Sequence, residues 1–229
     1  MSDVVLIALI GALLAIDDRA GWQSLLGEPI FSAWIIGMVT GTTVPVLKVG
    51  IALQLAWLSI GAARGTRRPN TVVGGVIGAG AASLVLSRTG DTRESVIIAA
   101  GVLMGLLAAE VGAIAGRATS VLRDRWLGNF RLPEHGPASP KLTFTVVASA
   151  LSVGLVDFIM VLLLLPPAVR VAEMFGARLG PHAAVGARWW LICVSAIGVA
   201  AVLRAFGTRV LVRFLALGAA ATLLVGWLR

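Results

Sequence analysis

The sequence predicts an all-α integral membrane protein, a multi-helix bundle with short, broken or re-entrant helical hairpins. The mean hydropathy is +0.95, and 58% of the residues are hydrophobic against 13% charged, whereas about a quarter of a soluble domain is charged. Apolar runs follow one another along the whole chain, broken by Pro, Gly and basic residues, and several are shorter than a bilayer is thick. Each span needs on the order of 20 apolar residues, so the chain accommodates about six to nine membrane segments in one domain, with no room for a sizeable soluble one.

The first run, 4–16, reads as the first membrane helix of the mature chain. It lacks the basic start of a signal peptide, Asp3 being its only preceding charge, and Asp17-Asp18-Arg19 stands where a small-residue cleavage site would be. The next runs are 30–47, 49–63, 71–87 and 95–116, completing the N-terminal helices of 1–116. As a helix, 49–63 covers roughly 22 Å against a hydrocarbon core of about 30 Å. With 71–87 and the turn Arg64-Gly65-Thr66-Arg67-Arg68-Pro69-Asn70, it reads either as a re-entrant hairpin over 49–87 or as two tilted spans joined by a basic loop. The segment 117–142 carries Arg117, Arg123, Arg125, Arg131 and Lys141 among three prolines, and the positive-inside rule directs this polar loop to the cytoplasm. The C-terminal helices, 143–229, contain the runs 143–169, 189–206 and 208–228.

The charge of +8 is scattered between apolar runs, a pattern that fits lipid headgroups and membrane topology and excludes a nucleic-acid face. The glycines of Gly37-Met-Val-Thr-Gly41 and Gly74-Gly75-Val-Ile-Gly78-Ala-Gly80 have the spacing that lets membrane helices approach closely. No strand or phosphate-binding Lys accompanies them, so they do not read as a nucleotide loop. Cys193, the single cysteine, reads as a buried packing thiol. Motifs for metal, nucleophilic or paired-carboxylate chemistry are absent, and His135 and His182 both read as solvated loop residues. No cofactor, metal or catalytic residue is expected.

A charge at bilayer depth costs at least about 2.5 kcal/mol and needs a partner or a cavity. Lys48 reads as snorkelling to the interface, and Glu110 as reaching headgroups or an ion pair. Asp157, within Val153-Gly-Leu-Val-Asp-Phe-Ile-Met160, lies deeper and has no such exit. Gln54, with Trp57 three residues on along the same helical face, reads either as a platform for a sugar or as a helix-packing amide beside an interfacial anchor.

The ordered elements Ile16-Asp17, Gln23, Pro29, Gly37, Gly41, Gly50-Ile-Ala-Leu-Gln54-Leu-Ala-Trp57-Leu58 and Pro69-Asn70 resemble the IIC subunit of mannose/fructose/sorbose sugar phosphotransferase systems (PTS). The clear similarity covers residues 1 to about 75, with a Gly198 to Arg204 stretch of similar character beyond it. The resemblance implies a multi-pass permease of the bacterial inner membrane. It pairs with a IID membrane subunit, assembles into an oligomer of such pairs and moves a hexose inward by an elevator-like motion. Phosphoryl transfer falls to separate IIA and IIB proteins, so this subunit is not itself an enzyme. It also implies that Gln54, Trp57 and Asn70 contact the sugar while Asp17 and Gln23 shape the same cavity.

Three positions depart from the family pattern: Gln54 stands for a Glu, Glu28 for an Arg, and Thr42 for an Asp. Arg64, Arg67 and Arg68 precede Pro69, where the family is mostly apolar. These changes predict a cationic site mouth suited to an acidic or atypical sugar, or a diverged scaffold or regulatory subunit without transport of its own.

Overall fold

The computed structural model describes residues 2–20, 24–61, 69–89, 93–127 and 140–206. Among them are seven helices and no strands: α1 (Ser2–Ala20), α2 (Pro29–Thr40), α3 (Thr43–Gly61), α4 (Thr71–Thr89), α5 (Glu94–Leu127), α6 (Pro140–Arg178) and α7 (Pro181–Phe206). Four contain stretches long and apolar enough to cross a membrane: Thr71–Thr89, Glu94–Val121, Val146–Arg178 and His182–Ala201. The all-α membrane bundle read from the sequence is the fold observed.

Helix α4 is the axis of the bundle, packed against α1, α2, α3, α5 and α6, and every residue from Val72 to Leu86 is buried. Its glycines explain how so many helices fit around it. A Cβ on Gly74 would lie 2.6 Å from the Gly105 carbonyl oxygen, and one on Gly78 2.8 Å from that of Gly101. In return, Cβ atoms on Gly105 and Gly101 would each meet the facing carbonyl of α4 at 2.8 Å. The antiparallel α4 and α5 thus touch backbone to backbone, which maximises van der Waals contact where lipid offers no hydrophobic drive for association.

Helices α2 and α3 form a tight hairpin against α4. Pro29 opens α2 after an extended Glu28, where its missing N–H is not needed. Gly41 closes α2 in the left-handed conformation (φ 74°), its N–H bonding the Gly37 carbonyl. At the tip, the Thr42 hydroxyl lies 2.9 Å from that of Ser83, and Ser83 donates to Thr40 at 2.6 Å. The 12 residues of α2 rise about 18 Å, too little to cross a hydrocarbon core of about 30 Å.

A tight helical turn lies at Gly41 and Thr42, ahead of the 49–87 segment. Residues 62–68, between α3 and α4, fall outside the described residues. The apolar break anticipated near Lys48 does not interrupt the chain: Pro45 sits in the first turn of α3, and the helix runs through it. Likewise α5 continues to Leu127, carrying Arg117, Arg123 and Arg125 on helix rather than in a polar loop.

Helix α6, 39 residues with Pro166 and Pro167 inside it, has two faces. Val153, Asp157, Val161, Leu165, Ala168 and Ala172 are buried, while Leu151, Leu155, Ile159 and Leu163 are exposed at four-residue intervals. Helix α7 touches the bundle narrowly, Gly198 lying against the Leu55 backbone of α3. Trp189, Trp190, Ile192 and Ile197 face outward. Cys193 is exposed there, not buried as its apolar surroundings in the sequence predict, because most of the surface of α7 has no neighbour among the described residues.

Candidate functional site

Five elements converge: the end of α1, the Ser24–Glu28 segment, the middle of α3, the start of α4 and the centre of α6. Local rules place some of the polar side chains they bring together. Asn70, just ahead of α4, accepts the Val73 N–H with Oδ1 at 3.2 Å, as a helix N-cap does. Its own N–H donates to the Ala109 carbonyl of α5 at 3.0 Å.

The Asn70 side-chain amide faces α6, with Nδ2 3.2 Å and 3.3 Å from the two carboxylate oxygens of Asp157. Asp157 is only 1% exposed and takes an ion pair from Arg19 at 3.2 Å. Arg19 also approaches Asp18 at 4.0 Å. The depth of Asp157, evident from the sequence, is thus met by a cation from α1 and an amide from α4. Neither partner is near it in the chain, so no local pattern announces them.

A second polar pair lies on α3. Gln54 Nε2 donates to Glu28 Oε2 at 2.7 Å, joining two of the positions at which the chain departs from the family pattern. The Gln54 Oε1 atom is buried and has no hydrogen-bond partner among the described residues. An acceptor left in that condition costs about 1–3 kcal/mol.

The segment between α1 and α2 is held by Asp17, whose Oδ2 accepts the Ser24 hydroxyl at 2.8 Å and its N–H at 3.2 Å. Leu25 follows with φ 68°, a strained setting for a residue with a branched side chain. Gly27 then packs on Asp18, where an added Cβ would meet the Asp18 Cβ at 3.0 Å. This contact brings Glu28 beside the acidic end of α1.

The predicted site residues therefore divide. Gln54, Asn70 and Asp17 each hold polar contacts at this convergence. Trp57 is buried, and a Cβ on Gly74 would lie 2.6 Å from its ring; the indole fills the α3–α4 groove. Gln23, with Arg64, Arg67 and Arg68, lies outside the described residues. Arg19, Glu28 and Asp157 join the cluster without having been chosen as ligand residues from the sequence. The described part holds four carboxylates, those of Asp17, Asp18, Glu28 and Asp157, and the guanidinium of Arg19.

Other charges lie away from the cluster. Lys48 pairs with Glu94, Arg88 with Glu173 at 2.8 Å, and Arg93 donates to the Gly176 and Ala177 carbonyls at the end of α6. Glu110 is exposed on α5, and His182 is exposed in the first turn of α7. His135 falls outside the described residues.

A family model described as the PTS system sorbose-specific IIC component matches residues 1–227. A solved structure titled "Structure of membrane protein" superposes with a TM-score of 0.68, covering 97% of this chain and 86% of that one at 13% identity. At that identity the likeness speaks for the fold alone. No individually curated protein matches the chain.

Proposed function

The chain belongs to the sorbose-specific IIC family of the PTS, a permease component of sugar transport, and from that premise we propose that it binds and translocates a hexose-like sugar together with a IID partner. Its setting is the bacterial inner membrane, with phosphoryl transfer on IIA and IIB proteins and assembly into an oligomer. Gln54 and Asn70 contact the sugar in this reading, Asp17 and Gln23 shape the cavity, and Trp57 braces it from the α3–α4 groove.

The observation that supports the proposal is the buried Oε1 of Gln54, which has no partner among the described residues, beside the Glu28 carboxylate. An uncharged hydroxyl is the donor that fits it, since sugar hydroxyls both donate and accept without bringing a charge into the bundle. The carboxylates of the described site favour such a neutral ligand over the acidic sugar expected from Arg64, Arg67 and Arg68. Like charges at short range repel in a medium that screens them poorly.

The test measures binding of D-mannose, D-fructose and L-sorbose to the purified chain, and uptake of labelled neutral and acidic sugars into vesicles holding the chain and its IID partner. Neutral-sugar binding weakened about tenfold or more by Gln54→Ala and by Asn70→Ala supports the assignment. Unchanged affinity in both variants defeats it. Uptake of none of the sugars favours the scaffold or regulatory role.

A further inference from the structure

Asp157 is a buried carboxylate at the centre of the buried stripe of α6, and the role proposed above does not use it. It holds two donors at once, the Asn70 amide from α4 and the Arg19 guanidinium from α1. The geometry points to Asp157 as a positioning residue for sugar binding, one that orients Asn70, is charge-compensated by Arg19 and touches no sugar itself. This inference rests on the proposal that Asn70 contacts the sugar.

Three features of the site support it. First, Asn70 is fixed at every other polar atom, its Oδ1 by the Val73 N–H and its backbone N–H by the Ala109 carbonyl. With Oδ1 held by Val73 the planar amide can still pivot about that bond, and the Asp157 carboxylate stops the pivot. A primary amide carries two N–H bonds, and the direction given to one by the carboxylate fixes the direction of the other. Second, Arg19 is 26% exposed while Asp157 is 1% exposed. The guanidinium therefore reaches in from the more exposed side and compensates the buried charge, so that the carboxylate can stand beside the Asn70 amide as an acceptor. Third, packing alone does not require a carboxylate at this place. A leucine would fill an apolar stripe without the desolvation cost of a buried charge.

A residue that acts through another shows non-additive effects, and this separates positioning from simple support of the fold. Sugar affinity is measured per folded molecule for Asn70→Ala, Asp157→Asn and the double variant, with D-mannose, D-fructose and L-sorbose as probes. Asp157→Asn is expected to weaken binding about tenfold, the effect of one misdirected hydrogen bond. The double variant is expected to be no weaker than Asn70→Ala alone, and Asp157→Glu to recover part of the loss.

Asp157→Asn leaves Arg19 without its buried partner. If that variant fails to accumulate, Arg19→Gln/Asp157→Asn, which removes both charges, takes its place. Native affinity in the folded fraction of Asp157→Asn or of this substitute overturns the inference, as do losses that add in the double variant. If Asn70→Ala itself binds normally, the sugar-contact reading fails first. If Asn70→Ala binds poorly and Asp157→Asn binds normally, the positioning role alone fails.

Discussion

Gln54 shows how a site can be visible in a folded chain as an imbalance. Its Nε2 is satisfied by Glu28 while its Oε1 has no partner among the described residues. Gln54→Leu, which removes the orphan acceptor while keeping apolar volume, is expected to leave the thermal midpoint in detergent unchanged or higher and to abolish sugar binding. A fall in midpoint together with intact binding would identify the amide as a packing element. At this scale the sequence was half legible. It marked Gln54 and Asp157 as polar residues at depth, because isolated polar groups in apolar runs stand out. It did not reveal their partners, since Glu28, Arg19 and Asn70 reach them only through the packing of α1, α2 and α4. The ring of Trp57 was legible as sharing a face with Gln54, but the gap at Gly74 that receives it is a property of two helices together.

Helices α4 and α5 are joined by backbone contact at Gly74, Gly78, Gly101 and Gly105. Gly78→Val has no space for its side chain and is expected to destabilise the bundle by about 1–3 kcal/mol, read as a lower thermal midpoint. The same change at Gly41 tests something different, because no atom lies within 4 Å of a Cβ there. Gly41→Val strains only the left-handed turn, at about 1–2 kcal/mol, and its effect should be confined to the α2–α3 hairpin. Thr42→Val removes a hydroxyl from the group that ties this hairpin to Ser83, and a loss of about 1 kcal/mol is expected in the same assay. The close-packing glycines were readable from their spacing. The helix limits were less so: Pro45 and Lys48 resemble a break, yet a proline in a first turn interrupts nothing, and Lys48 lies at an exposed end where Glu94 meets it.

Seen whole, the molecule has its ion pairs outside the Asp157 cluster, among the described residues, at exposed positions. Lys48→Ala is expected to change stability by no more than about 1 kcal/mol, because solvent screens the pair with Glu94. A larger loss would mean that this end is covered in the assembled protein. The exposed faces of α6 and α7 have no neighbour among the described residues, and lipid or the subunits of the proposed oligomer would lie against them. The enclosure of α4 also bears on biogenesis. A helix so rich in Gly, Ala and Ser is the least apolar of the four long enough to span, and it gains its hold on the bilayer from the segments around it. A chain halted after Thr89 lacks α5, so during synthesis this central segment should remain loosely held and reachable by protease until its antiparallel mate emerges, the two then entering the lipid as a unit.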